Sequence, residues 1–269
     1  RRGGDYSGTH YVMLSSTSTI LRYTPQSRGT QDDPSTSSGQ AVLAYFDELS
    51  TGSAGAYRST LHHCYNAYMP ALFIVFEGPD GAGTTRHTAL LAKKLREEGK
   101  EVITTAEPTQ GTHGQRIREM LHTGNAASEE LQKLFVADRA EHVEHLMKPG
   151  FEEGKIIISD RYIPSTLVYG AAQGLARESL ESMNKNFIQP DLLFILLPPF
   201  EVAWERVERR DVRDSFEQVA FQRKVHEGYR RYAKEHPEAI VIDTSGTKEE
   251  SAERIWGVVK KSLLPWGEG

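Results

Sequence analysis

The sequence predicts a three-layer α/β fold in which about five parallel strands carry helices on both faces. From residue 72 onward, short apolar runs alternate with longer stretches of helical period. The first apolar run breaks into a glycine-rich turn and then passes straight into a helical pattern. Hydrophobic residues make up 38% of the chain and charged residues 26%, which is enough to build a core. Strand–helix alternation of this kind implies a parallel sheet covered on both sides.

The elements follow in order. Residues 71–76 form the first buried strand, which breaks at Gly78. Thr88, Leu91, Ala92 and Leu95 fall at i, i+3, i+4 and i+7, one face of a helix that Gly99 stops. Residues 101–105 read as a second strand, 131–147 as a helix, and 155–159 as a β-rich run leading into Asp160 and Arg161. A buried strand at 192–197, a short one at 240–242 and a closing helix at 249–262 complete the pattern. In a sheet of this type ligands bind beyond the carboxyl ends of the strands. The glycine turn, Glu107-Pro108 and Asp160-Arg161 all follow strand ends, so they are expected to meet on one edge.

Residues 1–68 differ in kind. They are rich in Ser, Thr and Gly, as in 35–39 and 50–55, and are expected to be mostly disordered. A short helix at 40–49 is the one exception, with Val42, Leu43, Phe46 and Leu49 suitably spaced. Met69 stands just before the first core strand, so the preferred reading makes it the natural start, with 69–269 as the folded domain. The leader is then a tag, a fusion or translated upstream sequence, and a regulatory or targeting extension is the alternative. Arg1-Arg2 lacks the apolar core of a signal peptide, and Asp32, Asp33, Asp47 and Glu48 weigh against a transit sequence.

Composition narrows the function. A formal net charge of -5 gives no footprint for binding a nucleic-acid polymer. The single cysteine excludes an internal disulfide and a cysteine-based zinc site. No apolar run reaches the roughly 18 residues of a membrane span. A cytoplasmic enzyme fits these features best.

The chemistry concentrates in the stretch FIVFEGPDGAGTT, residues 73–85. Strand, glycine loop and helix form the context in which backbone N–H groups and a helix N-terminus hold polyphosphate. Gly78, Gly83 and Thr85 fit the consensus G-x-x-x-x-G-K-[ST], and the Thr85 hydroxyl can reach magnesium. Thr84 stands where the consensus has lysine. A tight turn without ligand fits the same glycines. Asp160 ends an apolar strand, where a carboxylate can hold magnesium beside a nucleotide, and Arg161 can grip a second phosphate. A local salt bridge fits these two equally well. Phe135 and Arg139, four apart on a helix, can stack on a flat base and bond its edge, or be a core ring and a paired cation. Thr166 and Tyr169 could reach the same ligand, although a tyrosine on a half-buried helix more often serves packing than recognition. Arg206, Arg209, Arg210 and Arg213 form a basic run that is either a solvated face or a lid closing on transferred phosphate.

Taken together and in this order, these stretches resemble the thymidylate kinase family of P-loop nucleoside monophosphate kinases. The likeness runs from Met69 to the C-terminal helix. It rests on 76–83, Glu107-Pro108, 134–139, Asp160 to Tyr162 with Ser165, Thr166 and Tyr169, Pro190-Asp191, and 206–217. The resemblance implies a three-layer P-loop kinase fold, ATP as donor, Mg2+, and phosphorylation of dTMP to dTDP. It implies that Gly78, Asp80, Gly81, Ala82, Gly83, Thr84 and Thr85 hold the ATP phosphates, with Thr85 and Asp160 at the metal. It places Asp80 at the sugar 3′-hydroxyl, Phe135 on thymine, Arg139 at its edge and Arg161 on the dTMP phosphate. Tyr169 would crowd the 2′ position, Thr166 would lie beside the base, and Glu107 with Pro108 would form the lip. Arg206, Arg210 and Arg213 would supply transition-state charge, because position 82 is Ala and no arginine lies within the loop. A homodimer is also implied.

Thr84, Ala106, Leu197 and Ser215 depart from residues common in the family. The expectation is an active thymidylate kinase in which Arg86 or a lid arginine supplies the missing lysine charge. The alternatives are a nucleotide-binding pseudokinase with a regulatory role, and a kinase for another pyrimidine monophosphate such as dUMP, UMP or CMP.

Overall fold

The computed structural model describes residues 10–13, 20–23, 71–123, 128–209 and 218–263. The chain divides into two units, 1–70 and 71–269. In the first, strand β1 (His10–Met13) pairs antiparallel with β2 (Ile20–Tyr23), His10 opposite Tyr23. The sequence reading named no strand there, and its short helix at 40–49 lies outside the described residues.

The second unit is built on five parallel strands, as expected. They are β3 (Phe73–Glu77), β4 (Val102–Ala106), β5 (Ile156–Asp160), β6 (Leu192–Leu196) and β7 (Ile240–Ile242), in the spatial order β4-β5-β3-β6-β7. All five residues of the central β3 are buried, which is why its sequence is an unbroken apolar run rather than an alternating one. The pleat still sorts its side chains. Phe73 and Val75 join one core and Ile74 and Phe76 the other.

Two helices close the Ile74/Phe76 face: α1 (Thr84–Glu97), through Leu91 and Leu95, and the final helix, here α9 (Lys248–Ser262), through Ile255 and Val259. Between β4 and β5 come α2 (Thr112–Thr123), α3 (Ser128–His142), a single π-helical turn at Val143–Met147, and α4 (Lys148–Glu152). The expected single helix over 131–147 is therefore divided. Pro149, in the first turn of α4, cannot donate back to the preceding turn, and its ring crowds the carbonyl four residues earlier. The wider turn keeps Val143 and Met147 buried while the new helix begins.

The Phe73/Val75 face is covered by α5 (Ile163–Ala172) and α8 (Val219–Glu235), through Ile163, Val168, Val225 and Tyr229. The shorter α6 (Arg177–Asn184) and α7 (Phe200–Glu208) complete the unit. The last helix opens on a reciprocal cap. Thr247 Oγ1 accepts from Glu250 N at 3.2 Å, and the Glu250 carboxylate accepts from Thr247 N at 3.0 Å.

After β3 the chain turns to α1 on one face, and after β5 it turns to α5 on the other. The carboxyl ends of these adjacent strands therefore part and leave a crevice, the usual place for a ligand in such a sheet. Asp160 pairs across both Phe76 and Ala106, so the three strand ends stand level. Among the described residues no helix is long and apolar enough to cross a membrane.

Candidate active site

The glycine loop bridges β3 and α1. It folds on itself through Ala82 N, which donates to Pro79 O at 3.1 Å. Gly81 has φ +81°, and a Cβ there would stand 2.1 Å from the carbonyl oxygen of Ala203, so the loop backbone lies directly against α7. Helix α1 then starts at Thr84 with no side-chain cap and no acidic residue in its first turn. Its leading N–H groups and their partial positive charge are left for an anion. The loop carries no cation of its own, because position 84 is a buried threonine.

Among the described residues, two arginines from elsewhere reach the loop. Arg206, on α7, donates from Nη1 to Gly81 O at 3.1 Å and from Nη2 to Thr244 O at 2.8 Å. Thr244 Oγ1 in turn donates to Ala82 O at 2.8 Å. The fork of Arg206 is thus bonded to main-chain carbonyls of the loop and of the segment after β7. Arg209 is exposed and pairs with Glu205 at 2.5 Å, while Arg210 and Arg213 lie outside the described residues. Arg86 is exposed in the first turn of α1. His87, one residue on, meets Gly83 O through Nδ1 at 2.9 Å. Burial, helped by Arg86 and Arg206 and opposed by the Gly83 carbonyl, holds its imidazole below the usual range.

The second arginine is Arg161, at the end of β5. Its backbone sits at φ +73°, rare for a residue with a side chain, and its N–H bonds to Phe76 O at 2.8 Å. The side chain turns over the loop. Nη1 donates to Gly78 O at 3.0 Å and Ser165 Oγ at 3.2 Å, and Nη2 donates to Asp80 Oδ1 at 2.6 Å. Asp80 is held from its other oxygen by Gln222 Nε2 at 2.6 Å. The guanidinium lies 5.3 Å from the centre of the Tyr169 ring, and the Tyr169 hydroxyl also interacts with Asp80 and Gln222. Burial opposes the Arg161 charge, but Tyr169, Asp80, Tyr229 and Glu77 together outweigh it and push its pKa up.

Beneath this pair Glu77 is fully buried. It accepts from Tyr162 N at 2.7 Å, Ser165 N at 3.2 Å, Ser165 Oγ at 2.7 Å and Tyr229 OH at 2.7 Å. It therefore caps the start of α5 from another strand, a role Tyr162 cannot play itself. Desolvation raises the Glu77 carboxyl, and Arg161 with the donors Tyr229 OH, Ser165 Oγ and Tyr162 N oppose that rise. Beside the loop, Thr85 Oγ1 donates to Asp160 Oδ2 at 2.5 Å, and Asp160 Oδ1 is buried without a partner among the described residues. A hydroxyl and a spare carboxylate oxygen suit Mg2+, which takes one or two protein oxygens and fills the rest with water and phosphate. Among the described residues there is no cluster of three or more His, Cys, Asp or Glu that would serve as a self-sufficient metal cage.

A second station lies at the end of β4. Arg139, 1% exposed, donates from Nε and Nη2 to Glu107 Oε2 at 2.9 and 2.7 Å, and from Nη2 to Thr166 Oγ1 at 3.0 Å. Its Nη1 donates to Asn184 Oδ1. The guanidinium packs over the rings of Tyr162 at 4.8 Å and Phe187 at 5.6 Å. Phe135, one turn earlier on α3, is half-buried against Ile117, Met120 and Leu131. The chain at Pro108 and Thr109 is fixed by Arg118, which donates to Pro108 O at 2.9 Å, and by Asp138, which accepts from Thr109 N at 2.8 Å. The two stations are joined where Glu107 N donates to Asp160 O at 3.0 Å.

The residues singled out from sequence therefore gather in two neighbouring groups. Gly78, Asp80, Thr85, Asp160, Arg161 and Tyr169 stand around the loop, and Glu107, Phe135, Arg139 and Thr166 stand beside them. Sequence reasoning assigned no role to Glu77, Gln222, Tyr229, His142 or Asn184. Glu77 had a local signal, an acid ending an apolar strand just before the glycines. Gln222 and Tyr229 are two turns apart on α8, and nothing in that spacing points to Asp80.

A parallel sheet of this order, with a glycine loop at its switch point and a hydroxyl–carboxylate pair beside it, defines a P-loop nucleotide-binding phosphotransferase core. The family model described as "Thymidylate kinase" matches residues 76–255. The chain is 36% identical over 203 residues to a probable thymidylate kinase of Thermococcus gammatolerans, covering 72% of this chain and 98% of that protein. It is 38% identical over 202 residues to a probable thymidylate kinase of Thermococcus kodakarensis, covering 71% and 98%. It is 39% identical over 200 residues to the thymidylate kinase of Thermomicrobium roseum, covering 71% and 95%. The chain belongs to the thymidylate kinase family.

Proposed function

We infer that the chain transfers the terminal phosphoryl group of ATP to dTMP, giving dTDP and ADP. The observation that carries this reading is Arg161. One guanidinium bonds Gly78 O of the donor loop and Asp80, beside a second arginine station suited to a base. In this reading the loop from Gly78 to Thr85 cradles the ATP phosphates with backbone N–H groups and the N-terminus of α1. Arg161 holds the dTMP phosphate facing them, Asp80 receives the sugar 3′-hydroxyl, and Tyr169 limits room at the 2′ position. Phe135 stacks on the base, and Arg139 with Thr166 bonds its edge. Phosphoryl transfer asks little covalent chemistry of a protein, so most of the catalysis comes from alignment and from charge placed where it develops.

Asp160 and Thr85 would hold Mg2+ against the ATP phosphates, where a bound cation neutralises oxygen charge. With threonine at 84, the remaining cationic charge comes from Arg161 and from the lid arginines Arg210 and Arg213. A homodimer, a cytoplasmic location, and a catalytic domain that works without residues 1–68 belong to the same reading. Nothing in the site favours a catalytically silent protein. The test is ADP formation with dTMP, dUMP, UMP and CMP as acceptors. Turnover that requires an acceptor and is fastest with dTMP supports the reading, and nucleotide binding without turnover would sink it.

A further inference from the structure

Arg139 has five N–H groups, and the described residues engage four of them, two at Glu107 and one each at Thr166 and Asn184. One N–H of Nη1 remains for a ligand. The direction of that last donor depends on how firmly Glu107 is held. Its Oε2 is taken by Arg139, and its Oε1 lies 3.0 Å from His142 Nδ1. An ionised carboxylate only accepts, so His142 is the donor. The far side of the imidazole is fixed as well, with Nε2 2.7 Å from Thr105 Oγ1 on β4. The side chains of His142 and Glu107 are 1% and 2% exposed, so water has no access to replace the contact between them. Asn184 is held in the same way from its other end, donating through Nδ2 to Leu180 O at 2.8 Å.

We propose that His142 is a positioning residue for base choice. Through Glu107 it locks the Arg139 fork so that the site offers a single donor to the base edge. A pyrimidine presenting a carbonyl there is accepted, and one presenting an amino group is rejected. The inference rests on the reading of Arg139 as the group that meets the base. It adds a chain of contacts from Thr105 to His142 to Glu107 to Arg139 in which only the last member touches substrate. If His142 is lost, Glu107 Oε1 becomes a buried acceptor without a donor, and the carboxylate is free to rotate with the guanidinium it carries.

The experiment uses the full chain and compares wild type, His142→Phe, His142→Asn and Thr105→Val, with dTMP and dCMP as acceptors and ATP varied separately. His142→Phe fills the space but lacks the donor. It should raise the KM for dTMP by about tenfold or more, leave the KM for ATP within about twofold, and narrow the dTMP-over-dCMP preference in kcat/KM by a similar factor. The side-chain nitrogen of asparagine falls close to where Nδ1 stands, so His142→Asn should recover most of the loss. Thr105→Val should show a smaller rise of the same kind, and it carries the test together with His142→Asn if His142→Phe does not fold. An unchanged dTMP KM in His142→Phe would overturn the proposal. So would a parallel rise in both KM values with a lowered Tm that His142→Asn does not rescue, since that pattern marks a purely structural histidine. A wild type inactive on dTMP would overturn the underlying reading and this inference with it. An active wild type indifferent to His142 would overturn the inference alone.

Discussion

Replacing Arg206 with alanine separates two roles that the sequence leaves merged. The side chain gives up two hydrogen bonds, to Gly81 O at 3.1 Å and Thr244 O at 2.8 Å. A bond from a charged donor contributes about 1.5–3 kcal/mol when its partner stays dry. Arg206 is only half-buried, so water can reach the freed carbonyls, and about 1 kcal/mol each is the better figure. A total of about 2 kcal/mol corresponds to a fall in Tm of roughly 4–8 °C for a domain of this size. The functional effect should follow the location. The bond to Gly81 and the contact of that glycine with Ala203 hold the loop's curvature, so Arg206→Ala loosens the cradle before chemistry begins. The KM for ATP should rise about tenfold, with a smaller fall in kcat, the pattern of binding lost in ground and transition state alike. Differential scanning fluorimetry and steady-state kinetics with each substrate varied will read both quantities. A tenfold fall in kcat with Tm and the KM for ATP unchanged would refute this account and return Arg206 to the lid.

Arg210→Ala or Arg213→Ala should show the opposite pattern, lowering kcat by about tenfold or more with little change in ATP affinity, since charge met only in the transition state acts on kcat. Phe135→Ala should raise the KM for dTMP far more than that for ATP. Because the ring is only half-buried, it should cost less stability than the roughly 3–5 kcal/mol of a core phenylalanine, and equal damage to both KM values would count against stacking. Gly81→Ala places a Cβ 2.1 Å from Ala203 O at a left-handed φ, so ATP-dependent turnover should fall by about a hundredfold or more; near-normal turnover would mean the loop does not need this approach. For His87, whose folded pKa lies below 6.5, both states are neutral above that value. As pH falls from 6.5 toward the folded pKa, the unfolded chain takes up a proton the folded one does not, so stability declines. His87→Gln should flatten that decline, by at most about 1.4 kcal/mol per pH unit, and identical pH profiles for the two proteins would refute the assignment.

Local chemistry wrote part of this site into the sequence. The glycine loop could be read because strand, turn and helix follow one another within a few residues and each has its own period. Asp160 and Arg161 could be read because a polar pair ending an apolar run stands out. Strand–helix alternation alone gave the parallel sheet, since strands joined by helices must cross over. The tertiary structure decided which groups became partners. Gln222 holds Asp80 across 142 residues, and Tyr229 holds Glu77 across 152. Such pairs have no spacing rule, because they arise when the packing of α8 brings two turns of one helix over the end of a strand. Arg206 looked like one member of a basic run, and only its place on α7 turned it toward the loop's carbonyls. Arg139 had two readings, base reader or paired cation. The fold makes it a paired cation through Glu107, and among the described residues Glu107, Thr166 and Asn184 together engage four of its five N–H groups.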